Sequence, residues 1–135
     1  MVRPPSRDHY ESVLIHPEVP SLGLELHYGL ESRHEKVTAL DPGMLWERRV
    51  ATEYLGVPTW GLPLEEELVM LAAHAGKPYH GFRRLVWIAD LAMVLGSAQD
   101  RGSQVDWERV RSLAGAARCT TVVAVALAMA SRVGV

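Results

Sequence analysis

A single cysteine, Cys119, stands in 135 residues, so no disulfide within the chain and no cysteine metal cluster can form. With so little cysteine, a reducing cytoplasm is the expected compartment. An excess of charge is also missing. The net charge of −2 gives no general reason to expect binding to nucleic acid or to an acidic membrane surface. The longest uncharged apolar run, Cys119 to Ser131, falls short of the about 20 residues that cross a bilayer, so no membrane partner is expected. The opening stretch, MVRPPSRDHYES, has no apolar h-region and does not read as a signal peptide. There is no internal repeat, no H-E-x-x-H, and no Ser/His/Asp or Cys/His nucleophile arrangement. His9, His16, His34 and His80 show no metal-ligand spacing.

What remains is 48% apolar and 22% charged, a composition that folds as one globular domain with a core. The dominant stretch is Leu62 to Gly96, read as two antiparallel helices around a Gly/Pro turn. In the first, Leu64, Leu68, Leu71, Ala72 and Ala75 recur on one helical face. Glu65, Glu66 and Glu67 crowd its first turn, where the helix dipole favours carboxylates, and Pro78 stops it. In the second, Phe82, Leu85, Val86, Ala89, Ala92 and Met93 form the apolar face, and Gly96 is the expected residue after the helix end.

Around this pair the pattern is mixed. His9 to His16 reads as a strand with Tyr10, Val13 and Ile15 as apolar anchors. From Leu22 to Leu30 the chain alternates, with Leu22, Leu24, Leu26, Tyr28 and Leu30 on one face and Gly23, Glu25, His27 and Gly29 on the other. The two strands are expected to form an antiparallel hairpin. Ser32 to Ala39 is a polar loop. Asp41-Pro42 opens a short helix with Asp41 as N-cap, and Val50 to Leu62 suggests a minor hairpin with Pro58 at an edge. After a polar loop at Ser97 to Gln104, Asp106 caps a helix that buries Val110, Leu113, Ala114 and Ala117. Thr120 to Val133 is Ala/Val-rich nearly all round and belongs inside a bundle. The fold class expected is α+β: an N-terminal β-hairpin, a minor hairpin and four to five helices, in a single domain over 1–135.

Three groups of residues have both a chemical and a plain reading. Glu25 and His27 share a strand face, as a metal-binding carboxylate with a neighbouring imidazole or as a solvated sheet edge. His74 and Asp90 lie on the central helices, as an oriented general base or as a structural hydrogen bond; the register sets His74 opposite Arg84 or Leu85. Lys77, His80, Arg83 and Arg84 cluster at the turn, where they would meet a phosphate at a helix start or form a solvated basic turn.

The central stretch also carries a resemblance. Glu66, Leu68, Leu71, His74 and Lys77, followed by Arg84, Leu85, Trp87, Asp90 and Leu91, resemble the C-terminal helical part of the bacterial uncharacterised nucleotidyltransferase-like family. Leu24-Glu25-Leu26-His27-Tyr28 looks like that family's D-L-H-W strand, with Glu for Asp and Tyr for Trp. The resemblance implies transfer of a nucleotidyl group from an NTP to an unidentified acceptor with Mg²⁺. It implies Glu25 as a metal-binding and catalytic carboxylate, with His27, His74 and Asp90 beside the chemistry and Lys77, Arg83 and Arg84 toward the substrate. Family members also carry a D-x-D pair behind a Gly-Ser turn. No D-x-D occurs in this sequence, and no Gly-Ser turn stands ahead of one. The chain therefore looks like the C-terminal portion of such an enzyme, inactive alone, with self-association through the hairpin as a further expectation. The alternative is a non-catalytic helical module that binds a partner.

Overall fold

A computed structural model describes residues 11–27, 29 and 38–133. The expected loop at 32–37, the strand positions His9, Tyr10, Tyr28 and Leu30, and the lead-in at 1–8 lie outside the described residues. The chain divides into two compact units, with the boundary between Lys36 and Val37.

The first unit is the expected hairpin. Strand β1 (Glu11–Ile15) pairs antiparallel with β2 (Gly23–His27), placing Leu14 opposite Leu24, Val13 opposite Glu25 and Glu11 opposite His27. Side chains alternate across a strand. Leu24 and Leu26 therefore share a face with Ser12 and Leu14, and Glu25 and His27 share the other with Glu11, Val13 and Ile15. The connecting turn is held by His16, whose Nδ1 accepts from the backbone N–H of Glu18 and Val19 at 3.2 and 3.1 Å.

The second unit is mainly helical. Helix α1 (Pro42–Glu47) begins where Asp41 accepts from the Gly43 N–H, with Pro42 in the first position, as expected. Strands β3 (Val50–Tyr54) and β4 (Val57–Gly61) form the minor hairpin. Its two-residue turn places Leu55 and Gly56 at φ 52° and 80°, the left-handed pair that suits the twist of a tight hairpin.

Four longer helices follow: α2 (Leu64–Ala75), α3 (Leu85–Asp100), α4 (Trp107–Ala116) and α5 (Thr120–Ala130). The core lies among them, built from Leu68, Val69, Ile88, Leu91, Val110 and Val123 with a set of alanines. The α+β class and the five helices agree with the expectation. Two helix faces do not. In α3 the buried residues are Ile88, Leu91, Ala92 and Ala98, while Leu85, Val86 and Met93 are exposed. The helix also continues through Gly96 and ends four residues later at Asp100; just beyond it Gly102 takes φ 68° and its N–H bonds to the Gln99 carbonyl. The Ser103 N–H reaches the Ala98 carbonyl, so the left-handed cap sits in the stretch expected to be loop. The polar residues Ser97, Gln99 and Asp100 thus cover the last turn of a helix.

Helix α5 differs more mildly. It buries Val123, Ala126 and Ala130 on one side and leaves Ala124, Val125 and Ala128 exposed. A composition apolar all round suggested burial all round, yet alanine exposes little apolar area and is tolerated on an outer face. Helix α4 is as expected: Asp106 accepts from the Arg109 N–H at 3.0 Å, and Val110, Ala114 and Ala117 are buried.

Candidate functional site

On the hairpin, the polar face of β2 meets the first residue of β1. His27 Nε2 lies 3.4 Å from a Glu11 oxygen and 3.6 Å from a Glu25 oxygen. The ligand atoms of all three residues fall within 4.8 Å of one another. Pairing sets this arrangement, since Glu11 is the cross-strand partner of His27, and Glu25 stands two residues back on the same face. Glu25 and His27 were expected together. Glu11 was not, although hairpin register was the signal that would have found it: a polar residue opposite His27 had to join the face. Two carboxylates and an imidazole can hold a divalent cation, or share a proton between His27 and either glutamate.

On the helical unit, the histidines gather around Trp87. The His80 ring stacks on it at 4.1 Å between centroids, and the His74 ring meets its edge at 5.7 Å. His80 Nδ1 also lies 2.8 Å from the His74 carbonyl oxygen. His74 thus faces Trp87 rather than Arg84 or Leu85. The reason is the turn: α2 stops at Ala75 and α3 starts only at Leu85, with Gly81 and Phe82 both at positive φ between them. Asp90 is half-buried on α3.

The basic turn is divided. Arg83 and Arg84 are exposed, and the Arg84 guanidinium lies 5.5 Å from the Trp87 ring centre, a cation–π contact. Lys77 is buried, at 6% exposure, so it does not share the solvated basic turn expected for the four residues. The Lys77 carbonyl accepts from the N–H groups of His80 and Gly81, which draws the residue inward as the turn closes.

In the sequence, Glu66 of α2 reads as a first-turn carboxylate and as one residue of the family resemblance, without a role of its own. Glu66 is 1% exposed, and its Oε1 takes both the Arg48 guanidinium at 3.1 Å and that of Arg109. The hydrogen bond that Arg109 donates to Glu66, and then the carboxylate's charge, push the Arg109 guanidinium above its ordinary range. The signal was present in the spacing. Glu66, Val69 and Ala73 fall at i, i+3 and i+7, so the buried stripe runs back into a carboxylate. Its neighbours behave differently. Glu65 accepts from the Asp106 N–H at 3.1 Å and ties α2 to the start of α4. Burial pushes the Glu67 carboxyl up, and the Arg101 charge draws it part of the way back.

A family profile described as an uncharacterised nucleotidyltransferase matches residues 2–134 of the chain. No curated protein and no solved structure gives a match. Among the described residues, no helix is long and apolar enough to cross a membrane.

Proposed function

The chain belongs to the family of uncharacterised nucleotidyltransferases, and from that premise we propose that it serves the transfer of a nucleotidyl group from an NTP to an acceptor. In this reading the chain contributes one part of the metal site. The observation that carries it is Glu25, which stands where the family's later acidic residue is expected and has Glu11 and His27 on the same hairpin face. The donor set fits in part. Two carboxylates supply the hard oxygens that Mg²⁺ takes. The imidazole of His27 suits a hydrogen-bond partner that orients them, as the supporting groups around a metal do. Glu25 and Glu11 would hold the ion, which when bound neutralises charge on the triphosphate. On the helical unit taken by itself, Arg83 and Arg84 are exposed just before α3 and could meet an anion.

Mg²⁺ bound for phosphoryl chemistry draws on several carboxylates and the substrate's own phosphates. Without a D-x-D pair the chain alone is expected to yield no product from labelled NTPs, Mg²⁺ and a panel of acceptors. Turnover by the chain alone that disappears in Glu25→Gln would overturn that part of the reading. The metal assignment has its own test. Calorimetric titration with Mg²⁺ alone should give a weak signal that is lost in Glu25→Gln and kept in Asp90→Asn. A signal indifferent to Glu25 would remove the residue from the site. The exposed Leu85, Val86 and Met93 on α3 favour the second reading, a helical module that binds a partner. That reading expects neither Mg²⁺ binding nor turnover.

A further inference from the structure

A small cleft of about 90 Å³ opens between α1, α2 and α4. Leu40, Leu45, Val69 and Leu113 give it apolar walls, and Arg48 and Glu66 stand at its polar end. Glu66 is buried, and both of its guanidinium partners meet Oε1. Its second oxygen, Oε2, is buried and has no hydrogen-bond partner among the described residues. A buried carboxylate oxygen left without a donor is costly, so the place calls for one.

We propose that this cleft binds a small amphipathic molecule with a neutral N–H or O–H donor at one end, which supplies the hydrogen bond that Glu66 Oε2 lacks. The apolar body lies along Leu40, Leu45, Val69 and Leu113. The donor reaches the carboxylate as Arg48 swings outward. The Arg48 side chain is 42% exposed, and its departure leaves Glu66 paired with Arg109. Charge selects the headgroup. With Arg48 turned outward, Arg109 and Glu66 balance each other, and an ammonium would have to be desolvated with no net negative charge to meet it. A carboxylate brings no donor for Oε2 and is repelled by Glu66. A primary amide or an alcohol supplies a neutral donor and avoids both penalties. The inference stands apart from the nucleotidyl-transfer reading and uses none of its residues.

Three probes of one length separate the outcomes: hexanamide, hexylamine and hexanoate, followed by ligand-observed NMR and by thermal shift on the intact chain. Hexanamide should bind, with hexylamine and hexanoate at least tenfold weaker. Ala116, exposed on the cleft wall, provides a variant that leaves the charges alone. Ala116→Phe should abolish hexanamide binding without lowering the Tm. Glu66→Gln, which exchanges the acceptor pair for an amide, should weaken it at least fivefold where the variant folds. Equal or tighter binding of the amine or the acid, absence of hexanamide binding, or binding unaltered by Ala116→Phe would each overturn the proposal.

Discussion

Two adjacent glutamates of α2 show how much the surroundings of a single residue decide. Glu66 is enclosed and takes two arginines; Glu67, one position on, is half-buried and has its carboxyl pushed up by burial. A raised carboxyl binds its proton more tightly folded than unfolded. The stability it contributes is therefore fully present below the unfolded pKa and is lost as pH rises through the raised folded value. Above that raised value Glu67 is ionised in both states and the folded chain bears the cost of the buried charge. Glu67→Gln should raise the Tm at pH 7, and the gain should fade below about pH 4, where the unfolded glutamate itself is protonated. Thermal melts of both proteins across that range check it, and a gain that does not depend on pH would show that burial of the charge is not the cause. The three consecutive glutamates read in the sequence as one dipole-favoured group. Only the helix's rotation against α4, which the linear order does not fix, assigns them three different roles.

Rotation and length were also the weak points at the scale of the elements. The N-caps Asp41 and Asp106, the Pro42 start and both hairpins were legible, because each depends on chemistry within a few residues of chain. The face of α3 was not, since Leu85, Val86, Ala89 and Met93 make a stripe as regular as the one that is buried. Local periodicity cannot choose between two apolar stripes on a helix this rich in Leu, Val and Ala; the packing of α2 and α5 does. Leu91 is fully buried and Leu85 is 68% exposed. Leu91→Ala should therefore cost about 2–5 kcal/mol, and Leu85→Ala should stay within about 0.5 kcal/mol. Urea unfolding of the two variants decides it, and equal losses would restore the sequence's choice of face. Glycine gives a second comparison. A Cβ at Gly76, just past α2, would sit 2.3 Å from Val122 Cγ1 and 3.2 Å from Phe82 Cζ, whereas one at Gly115 in α4 meets nothing within 4 Å. Gly76→Ala should destabilise by about 1–3 kcal/mol through overpacking. Gly115→Ala should stabilise by roughly 0.5–1 kcal/mol, the usual gain at a helix interior position. The close approach of α2's end to α5 was not readable from either glycine's neighbours in sequence.

For the molecule as a whole, the two units differ in how far each covers its own apolar surface. The helical unit encloses a core of its own. In the hairpin, Leu22, Leu24 and Leu26 are 59%, 61% and 57% exposed, on the face opposite Glu25 and His27. A two-stranded hairpin is marginal by itself. Both of its strands are edges among the described residues, and unpaired edges template pairing with another chain. The leucine face and the open edges together lead us to expect association through the hairpin, with a second copy or with a strand that extends the sheet. Light scattering should find dimers or larger species of the purified chain at high concentration. Leu24→Lys places a charge at the centre of that face without touching the helices, and should return the chain to monomer with its helical circular dichroism intact. Because Glu25 and His27 point the other way, the same variant should keep whatever Mg²⁺ signal the wild type gives, so association and metal binding are read independently. A wild-type chain that stays monomeric at high concentration and binds no hydrophobic dye would mean that the leucine face is simply solvated, and the expectation of self-association would fall with it.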